Sequence, residues 1–212
     1  MLDSKQNTYF INFDSEPLDD AIMAEGSLRS YPTGVVLLEA GTQAEYLYYI
    51  LEGEIAVTAI SQGGEEKNIF FVKNKMFYGE AHVFADHLNL FRITAAKPVK
   101  AVLFGLDKAR RLFADNERFR ERFLISLSQK AFAMSAEIAS LVSDSSEERI
   151  YNCLLDLEAN RKNRHDERIR ITQQEISTIL GMHRVTVSRA LNRLEERGLI
   201  KRGRNHIQLI RP

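Results

Sequence analysis

The sequence predicts an α+β protein with three consecutive parts: an N-terminal antiparallel β-roll of the jelly-roll type, a long dimerisation helix, and a C-terminal winged helix-turn-helix. Three observations support this prediction. Short apolar segments separated by glycines come first, a long run without glycine or proline follows, and a helix pair with a glycine turn lies near the end. We place the parts at residues 1–106, 107–143 and 144–212.

Six short apolar segments between residues 29 and 105 predict the β-roll. Glycines at positions 41, 53, 63, 64 and 79 supply turns between them. Strands at this spacing are typical of an antiparallel sandwich or roll. The predicted strands are residues 35–38, 46–51, 54–60, 68–72, 92–95 and 101–104.

The long helix is predicted from residues 107–142, where apolar side chains recur at alternating steps of four and three and so share one stripe. Phe119 and Phe123 extend the stripe toward its start. Such a stripe is typical of a helix that pairs with its twin in a coiled-coil dimer, although packing against the chain's own sheet would produce the same pattern. The predicted dimer seam consists of Leu127, Ala131, Met134, Ile138 and Leu141.

Two capping boxes predict helix starts in the C-terminal part. Ser145 with Glu148, and Thr172 with Glu175, have the spacing at which a hydroxyl and a carboxylate satisfy free backbone amides. The first box follows a break in the apolar stripe, where we expect a hinge near Asp144. The second box starts the first helix of the predicted helix-turn-helix.

A second helix begins near His183, after a tight turn at Gly181. Val187, Ala190, Leu191 and Leu194 are predicted to pack inward. The outward residues near its N-terminal end suit a reader of the DNA major groove, because guanidinium groups match guanine O6 and N7 and a small apolar group can meet a thymine methyl. These outward residues are Arg184, Val185, Ser188 and Arg189.

The chain end after this helix looks like two short strands with a basic tip. Lys201, Arg202 and Arg204 can contact the DNA backbone there. The formal net charge of zero hides an asymmetry: residues 161–212 contain 13 Lys and Arg against 5 Asp and Glu, whereas residues 1–160 contain 16 against 24. A basic end is where a polyanion would bind, although a solvated surface is also compatible with it.

Membrane and redox roles find no support in the sequence. No apolar stretch approaches the roughly 18 residues that a membrane span requires, and the first eight residues are too polar for a secretory signal, so we expect a cytoplasmic protein. The single cysteine, Cys153, lies in an apolar run. We interpret it as a buried structural thiol rather than a redox sensor.

These motifs closely resemble those of the CRP/FNR family of bacterial transcription regulators. The likeness of the helix-turn-helix rests on residues 171–200, including 172–176 and 186–189. Residues 39–41, 47–57 and the pair Gly79-Glu80 are similar to the family's cyclic-nucleotide-binding-type β-roll. The resemblance covers about residues 28–210. It implies a homodimer that binds a palindromic site in double-stranded DNA and has RNA polymerase as a partner.

The resemblance also assigns DNA contacts by position. Arg184 and Arg189 would contact bases, with help from Ser188. Many family members carry an acidic residue where this chain has Val185, and valine cannot accept a hydrogen bond from a base edge. We therefore expect a half-site that departs from the usual family half-site at that position, with an A·T pair. The phosphate contacts implied by the resemblance are Thr172, Gln173, His183 and Thr186.

The resemblance further implies an effector pocket between the roll and the long helix. In nucleotide-binding relatives a glycine-glutamate pair contacts the ribose, and a later arginine-serine pair holds the cyclic phosphate. Leu90 and Phe91 stand at the second pair and cannot bind a phosphate, so we expect no binding of cyclic AMP. An apolar or aromatic small molecule would fit, and so would a filled core without an effector. The candidate pocket residues are Tyr78, Gly79, Glu80, Leu90, Phe91, Met134 and Ser135.

Two other functional classes are compatible with some features of this sequence. Jelly-roll barrels also form metal-dependent enzymes, which need several inward His and carboxylate ligands, but only His82 and His87 precede residue 160. These two histidines have positions similar to haem ligands in some relatives, yet we expect surface or loop histidines and no cofactor or metal. A cyclic-nucleotide-responsive regulator of a protein partner is the other alternative, and the basic C-terminal part argues against it. We expect no enzyme activity.

Overall fold

The structure is a computed structural model that describes residues 16–61, 63–64, 66–159 and 168–210. The chain divides into two compact units. The N-terminal unit comprises the described residues up to position 64 together with Ile69–Ala133, and the C-terminal unit comprises Glu66–Asn68 together with the described residues from Met134 onward. In this described part, no helix is both long enough and apolar enough to cross a membrane.

Two four-stranded sheets form the roll, and their described pairings are antiparallel. One sheet has, in spatial order, β1 (Ser27–Tyr31), β8 (Val99–Gly105), β3 (Tyr46–Glu52) and β6 (Phe77–Tyr78). The other has β2 (Val36–Leu38), β7 (Arg92–Ala95), β4 (Glu54–Ile60) and β5 (Glu66–Lys73). The predicted antiparallel roll is confirmed, and each of the six predicted segments coincides with a strand.

Four elements of the N-terminal unit are absent from the prediction. They are β1, β6 and two short helices, α1 (Asp20–Met23) and α2 (Glu80–Phe84). β1 pairs only with β8 at the edge of its sheet, and its first four residues are exposed. An edge strand exposed in this way has no alternation of apolar and polar residues for a sequence pattern to detect.

β3 is buried on both faces, and this divides the core of the roll into two clusters. Tyr48 and Ile50 pack in one cluster, whereas Leu47 and Tyr49 pack in the other. Because successive side chains of a strand point to opposite faces, a strand buried on both faces is apolar throughout. The continuous apolar run of β3 therefore reflects its central position.

The predicted long helix is two helices, α3 (Leu106–Asp115) and α4 (Glu117–Ser143). Asn116 separates them with an extended backbone, φ −117° and ψ 111°. Its side-chain oxygen accepts a hydrogen bond from the Phe119 amide at 2.9 Å, as a helix-capping residue does. The prediction of a single helix from residue 107 was wrong. It rested on the absence of glycine and proline, but a capping asparagine interrupts the helix although neither residue is present.

α4 has a buried face and an exposed apolar face. The predicted seam residues Leu127, Met134, Ile138 and Leu141 are each at least 41% exposed. Phe119 and Phe123, which we expected to extend that seam, are instead buried in the roll core. The difference follows from position along α4: the two phenylalanines lie in its first turns and pack in the roll core, whereas the seam residues lie further along the helix. Ala131, the fifth seam residue, is exposed as well.

The C-terminal unit contains the predicted winged helix-turn-helix, and this part of the fold is confirmed. Its helices are α5 (Ser146–Ala159), α6 (Gln173–Leu180) and α7 (Arg184–Glu196), and its strands are β9 (Arg168–Ile169), β10 (Ile200–Gly203) and β11 (His206–Leu209). The strands form a sheet in the order β10-β11-β9. Cys153 of α5 is buried, and burial raises the pKa of its thiol, which favours a structural role.

Candidate nucleic-acid interface

The start of α6 is held by a capping box. The Glu175 amide donates to the Thr172 hydroxyl at 3.1 Å, and the Thr172 amide donates to the Glu175 carboxylate at 2.7 Å. Two backbone groups at the helix start are thus satisfied. The predicted helix start at Thr172 is confirmed.

The turn between α6 and α7 depends on Gly181. Its backbone lies in the left-handed region, with φ 58° and ψ 42°, which glycine adopts without strain. The Met182 amide donates to the Ser177 carbonyl, and the Ser177 hydroxyl donates to the Met182 carbonyl at 2.5 Å. These contacts close the turn and let α7 begin at Arg184, with His183 at the capping position.

α7 has an inward face and an outward face, as the sequence predicts. The inward residues are Val187, Ala190, Leu191 and Leu194, and each is buried. Outward, Arg184 and Arg189 are exposed, Ser188 is half-buried, and Val185 is 61% exposed. These four residues occupy one side of the first two turns of α7, because residues four apart on a helix are neighbours.

The residues assigned to phosphates differ in their surroundings. His183 and Thr186 are exposed, and Gln173 is half-buried at the start of α6. The Thr172 hydroxyl is already engaged in the capping box. Thr172 also lies at the N-terminal end of a helix, where free backbone amides can bind an anion.

The wing is the hairpin formed by β10 and β11, and Arg204 lies exposed in its turn. Ile200 pairs with Leu209 and Gly203 with His206, and Asn205 makes the turn with φ 59°.

Lys201 and Arg204 are exposed on the wing. Arg202 differs from them: its Nε donates to the Glu195 carboxylate of α7 at 2.7 Å, and its amide donates to the same carboxylate at 2.8 Å. These hydrogen bonds lower the pKa of Glu195. Lys201 and Arg204 are consequently better placed for phosphate contacts than Arg202.

Two clefts adjoin the wing, and both have basic walls. The larger, about 540 Å³, lies between the start of α6, Arg184 and the wing tip. The smaller, about 260 Å³, is lined by Arg168, Arg170, Arg204 and His206, with Asn205. The sequence prediction did not include Arg168 and Arg170, which line this cleft. Their alternation with the buried Ile169 was the available signal, since alternate strand residues lie on one face.

The Glu80 carboxylate, a candidate for effector binding, is engaged by the chain's own side chains. Glu80 is 4% exposed and follows Gly79, whose φ of 104° is in the region that favours glycine. The Ser126 hydroxyl donates to Glu80 Oε1 at 2.7 Å, and the Lys130 ammonium forms an ion pair with the same oxygen. Lys130 Nζ also donates to the Phe77 carbonyl at 2.6 Å.

Both members of this ion pair lie in the interior of the N-terminal unit. Burial lowers the pKa of Lys130, and the charge of Glu80 opposes that shift. Ser126 and Lys130 were missed by the sequence analysis. They continue the face of α4 that begins with Phe119 and Phe123, and polar residues on a buried face were the signal.

The remaining pocket candidates have different environments. Tyr78 is buried and donates to the Asn89 side chain at 3.1 Å, and Phe91 packs against the roll core. Leu90 is 77% exposed. Met134 and Ser135 are exposed on α4 and belong to the C-terminal unit. Of the seven candidates, Phe91 packs against the core cluster that contains Tyr78, and Gly79 and Glu80 follow Tyr78 directly in the chain.

Arg92, two positions after Leu90, donates from Nε to the Glu39 carboxylate at 3.0 Å. Within the described ranges, no group of three His, Cys, Asp or Glu side chains could hold a metal ion.

Two family models match the chain. A Crp-like helix-turn-helix domain matches residues 148–212, and a cyclic nucleotide-binding domain matches residues 28–116. The chain is 29% identical over 189 residues to the cAMP-activated global transcriptional regulator CRP of Pasteurella multocida, a match that covers 87% of this chain and 90% of that protein. It is 28% identical over 190 residues to the protein of the same name from Escherichia coli O157:H7, with 88% and 90% covered.

Solved structures share the fold. The c-di-GMP responsive global regulator CLP of Xanthomonas campestris has a TM-score of 0.80 at 20% identity, over 92% of this chain and 100% of that chain. A CRP/FNR family transcriptional regulator from Thermus thermophilus has a TM-score of 0.75 at 22% identity, over 87% and 94%. The relatives and neighbours named here are transcription regulators rather than enzymes.

Proposed function

The chain belongs to the CRP/FNR family of DNA-binding transcription regulators, and we propose that it acts as a homodimer that reads a palindromic DNA site with the N-terminal half of α7. It is a regulator and not an enzyme. One observation carries the proposal: two arginines and a valine are exposed on one side of α7, beside a basic wing. This is the surface that a helix entering the major groove requires.

The roles of the exposed residues follow from their chemistry. Arg184 and Arg189 each present a planar fork of donors that can contact guanine, with Ser188 as a shorter donor or acceptor. Val185 can meet a thymine methyl, so an A·T pair is proposed at its position. Phosphates are contacted by Thr172, Gln173, His183, Thr186, Lys201 and Arg204, and more weakly by Arg202.

The exposed apolar face of α4 supports the homodimer. Ile138 is 62% exposed and Leu141 49%, and Leu127 and Met134 are each 41% exposed, with Ala131 between them. Packing this face against the same face of a second chain removes apolar surface from water, as in a coiled coil. Two copies of α7 then lie about one DNA turn apart, roughly 34 Å, and match a palindrome.

In this proposal the regulator responds to an effector other than cyclic AMP, or it acts without any small-molecule effector. Leu90 and Phe91 stand where a phosphate would need donors, and Glu80 is already paired with Lys130. A ribose that bound Glu80 Oε1 would compete with Ser126 and Lys130 for that oxygen. An apolar or aromatic effector remains part of the proposal. RNA polymerase as partner and the cytoplasm as location follow from a role at bacterial promoters.

DNA binding is tested by selecting sites from random duplexes and measuring affinity by fluorescence anisotropy at several salt concentrations. The proposal expects a palindromic consensus, a steep loss of affinity with salt, and a dimer in sedimentation at micromolar concentration.

Ile138→Asp places a charge in the seam and should weaken both dimerisation and DNA binding. A wild-type monomer that binds the palindrome tightly would contradict the homodimer.

The signal is tested by isothermal titration with cyclic AMP. No heat of binding is expected for the wild-type protein at submillimolar nucleotide. The matched variant Leu90→Arg/Phe91→Ser restores the missing pair and should gain binding. Tight binding by the wild-type chain would overturn the argument from the phosphate position.

A further inference from the structure

Arg149 joins three helices of the C-terminal unit at one buried point. It lies on α5 and is 8% exposed. Its Nη2 donates to the Glu137 carboxylate of α4 at 3.3 Å and to the Leu180 carbonyl at 3.2 Å. Leu180 is the last residue of α6, where carbonyls lack helical partners and the helix dipole favours a cation.

The two helices that Arg149 contacts have different roles in the proposed complex: α4 makes the dimer, and α6 leads into the DNA-reading helix. Glu137 of α4 directly precedes Ile138, a residue of the exposed seam. Leu180 directly precedes Gly181, the turn into α7. One guanidinium therefore connects the helix proposed to make the dimer with the last residue of α6, just before the turn into the DNA-reading helix α7.

Stability alone does not account for this contact. Glu137 is 9% exposed, and among the described residues the buried Arg149 Nε and Glu137 Oε2 atoms have no hydrogen-bond partner. A buried ion pair is often no more stabilising than apolar residues of the same volume, and its best-attested use is to specify one arrangement of elements. Lys67, grouped with the same unit, also contacts Glu137 at 2.9 Å, so Glu137 keeps a cation when Arg149 is replaced.

We infer that Arg149 is a positioning residue: it sets the orientation of the helix-turn-helix on α4 and thereby the half-site spacing that the dimer accepts. The inference rests on the proposed dimeric DNA reading. DNA makes one turn in about 10 to 10.5 base pairs, so one inserted pair rotates a half-site by about 35° and moves it by about 3.4 Å. A dimer whose helix-turn-helix is held in one orientation on α4 should bind such altered sites poorly. A dimer that has lost the Arg149 contacts should bind them better.

The test measures affinity for the selected palindrome with its centre shortened or lengthened by one or two base pairs, and for an isolated half-site. Four variants are compared with wild type: Arg149→Met, Arg149→Lys, the double variant Arg149→Met/Glu137→Leu, and Glu147→Gln as control. Glu147 accepts hydrogen bonds from Arg193 and Arg197 of α7 at 2.9 and 3.2 Å, so the control breaks an exposed ion pair between α5 and α7.

Arg149→Met is expected to reduce the penalty for altered spacing by about 3- to 10-fold, within the range of coupling changes that single residues produce. Affinity for the half-site should stay within about twofold of wild type. Arg149→Lys should show a partial effect, because lysine keeps the positive charge but its side chain is one bond shorter than the one that carries Nη2 to both acceptors. Glu147→Gln should leave the spacing preference unchanged.

The double variant separates orientation from folding. It removes both buried charges, so its unfolding free energy should lie close to that of wild type while the spacing preference stays broad. Unchanged spacing preference in Arg149→Met, or an equal loss of half-site affinity, would overturn the inference. A wild-type protein that shows no palindrome or no spacing preference would instead count against the proposed function.

Discussion

Two regions of the molecule, the β-roll and the helix-turn-helix, carry motifs of the same family but differ in the exposure of their polar side chains. Glu80, which the family resemblance assigns to the effector pocket, is 4% exposed and paired with Lys130 and Ser126. Arg184 and Arg189, which we propose as base-reading residues, are exposed on α7. A motif therefore indicates which residues are present, whereas burial decides whether they are available to a ligand.

The same contrast separates two kinds of ion pair. The pair of Lys130 with Glu80 lies in the roll interior, and each side chain is less than a tenth exposed. The pairs of Glu147 with Arg193 and Arg197 lie at the surface, where both arginines are more than 60% exposed. Arginine hydrogen bonds, first those of Arg193, lower the pKa of Glu147. Surface pairs of this kind add little to stability because water and salt screen them.

The largest effect is expected from Lys130→Met, which leaves the Glu80 carboxylate buried without its cation. Removing one partner of a buried pair should lower the free energy of unfolding by about 3–5 kcal/mol. Urea unfolding followed by circular dichroism measures the change. The double variant Lys130→Met/Glu80→Leu removes both charges and should recover most of the loss. A loss below about 1 kcal/mol in the single variant would show that the pair is not structural.

A smaller effect, on DNA affinity and not on stability, is expected from Arg189→Ala or Arg184→Ala. Loss of a bidentate base contact should weaken binding to the selected site by about 1–3 kcal/mol, or about 5- to 150-fold. Fluorescence anisotropy at fixed salt is the measurement. Arg197→Ala, at the C-terminal end of the same helix, is the control and should change affinity by no more than about twofold. Equal losses in all three variants would mean that only overall charge matters.

Val185→Glu should change which base is preferred, with less effect on overall affinity. A carboxylate at this position can accept a hydrogen bond from cytosine N4, whereas the valine favours a thymine methyl. Discrimination at that base pair should shift by about 1–3 kcal/mol in sites selected from random DNA. Val185→Ala serves as control and should retain the A·T preference. An unchanged consensus in Val185→Glu would exclude Val185 from base reading.

The smallest expected effect concerns the wing, where two nearby arginines differ in their partners. Arg204→Met should reduce the slope of log affinity against log salt by about 1, as expected for one lost phosphate contact. Arg202→Met should reduce it less, because Glu195 already offsets the charge of Arg202. Its loss should also return the pKa of Glu195 toward the ordinary value of 4.5, which carbon NMR of the carboxyl group can follow. Equal slopes for the two variants would remove the distinction between them.

Sequence patterns predicted the fold well where local rules and burial agree. The six strand segments, both capping boxes and the inward face of α7 all occur as expected. Each of these features depends on residues within a few positions of one another. The break at Asn116 was also local, but a lone asparagine within a helical run is a weak signal beside the absence of glycine and proline.

The amino-acid sequence by itself determined the order of the elements, the family, and the side chains that α7 can offer to DNA, because periodicity and capping act over a few residues. Only the tertiary structure decided that Phe119 and Phe123 belong to the core and that Lys130 meets Glu80 across 50 positions. It likewise brought Arg149 to the Leu180 carbonyl. Such contacts join residues distant in the chain, and the free energy that selects them comes from burying whole faces together, which no short sequence window contains.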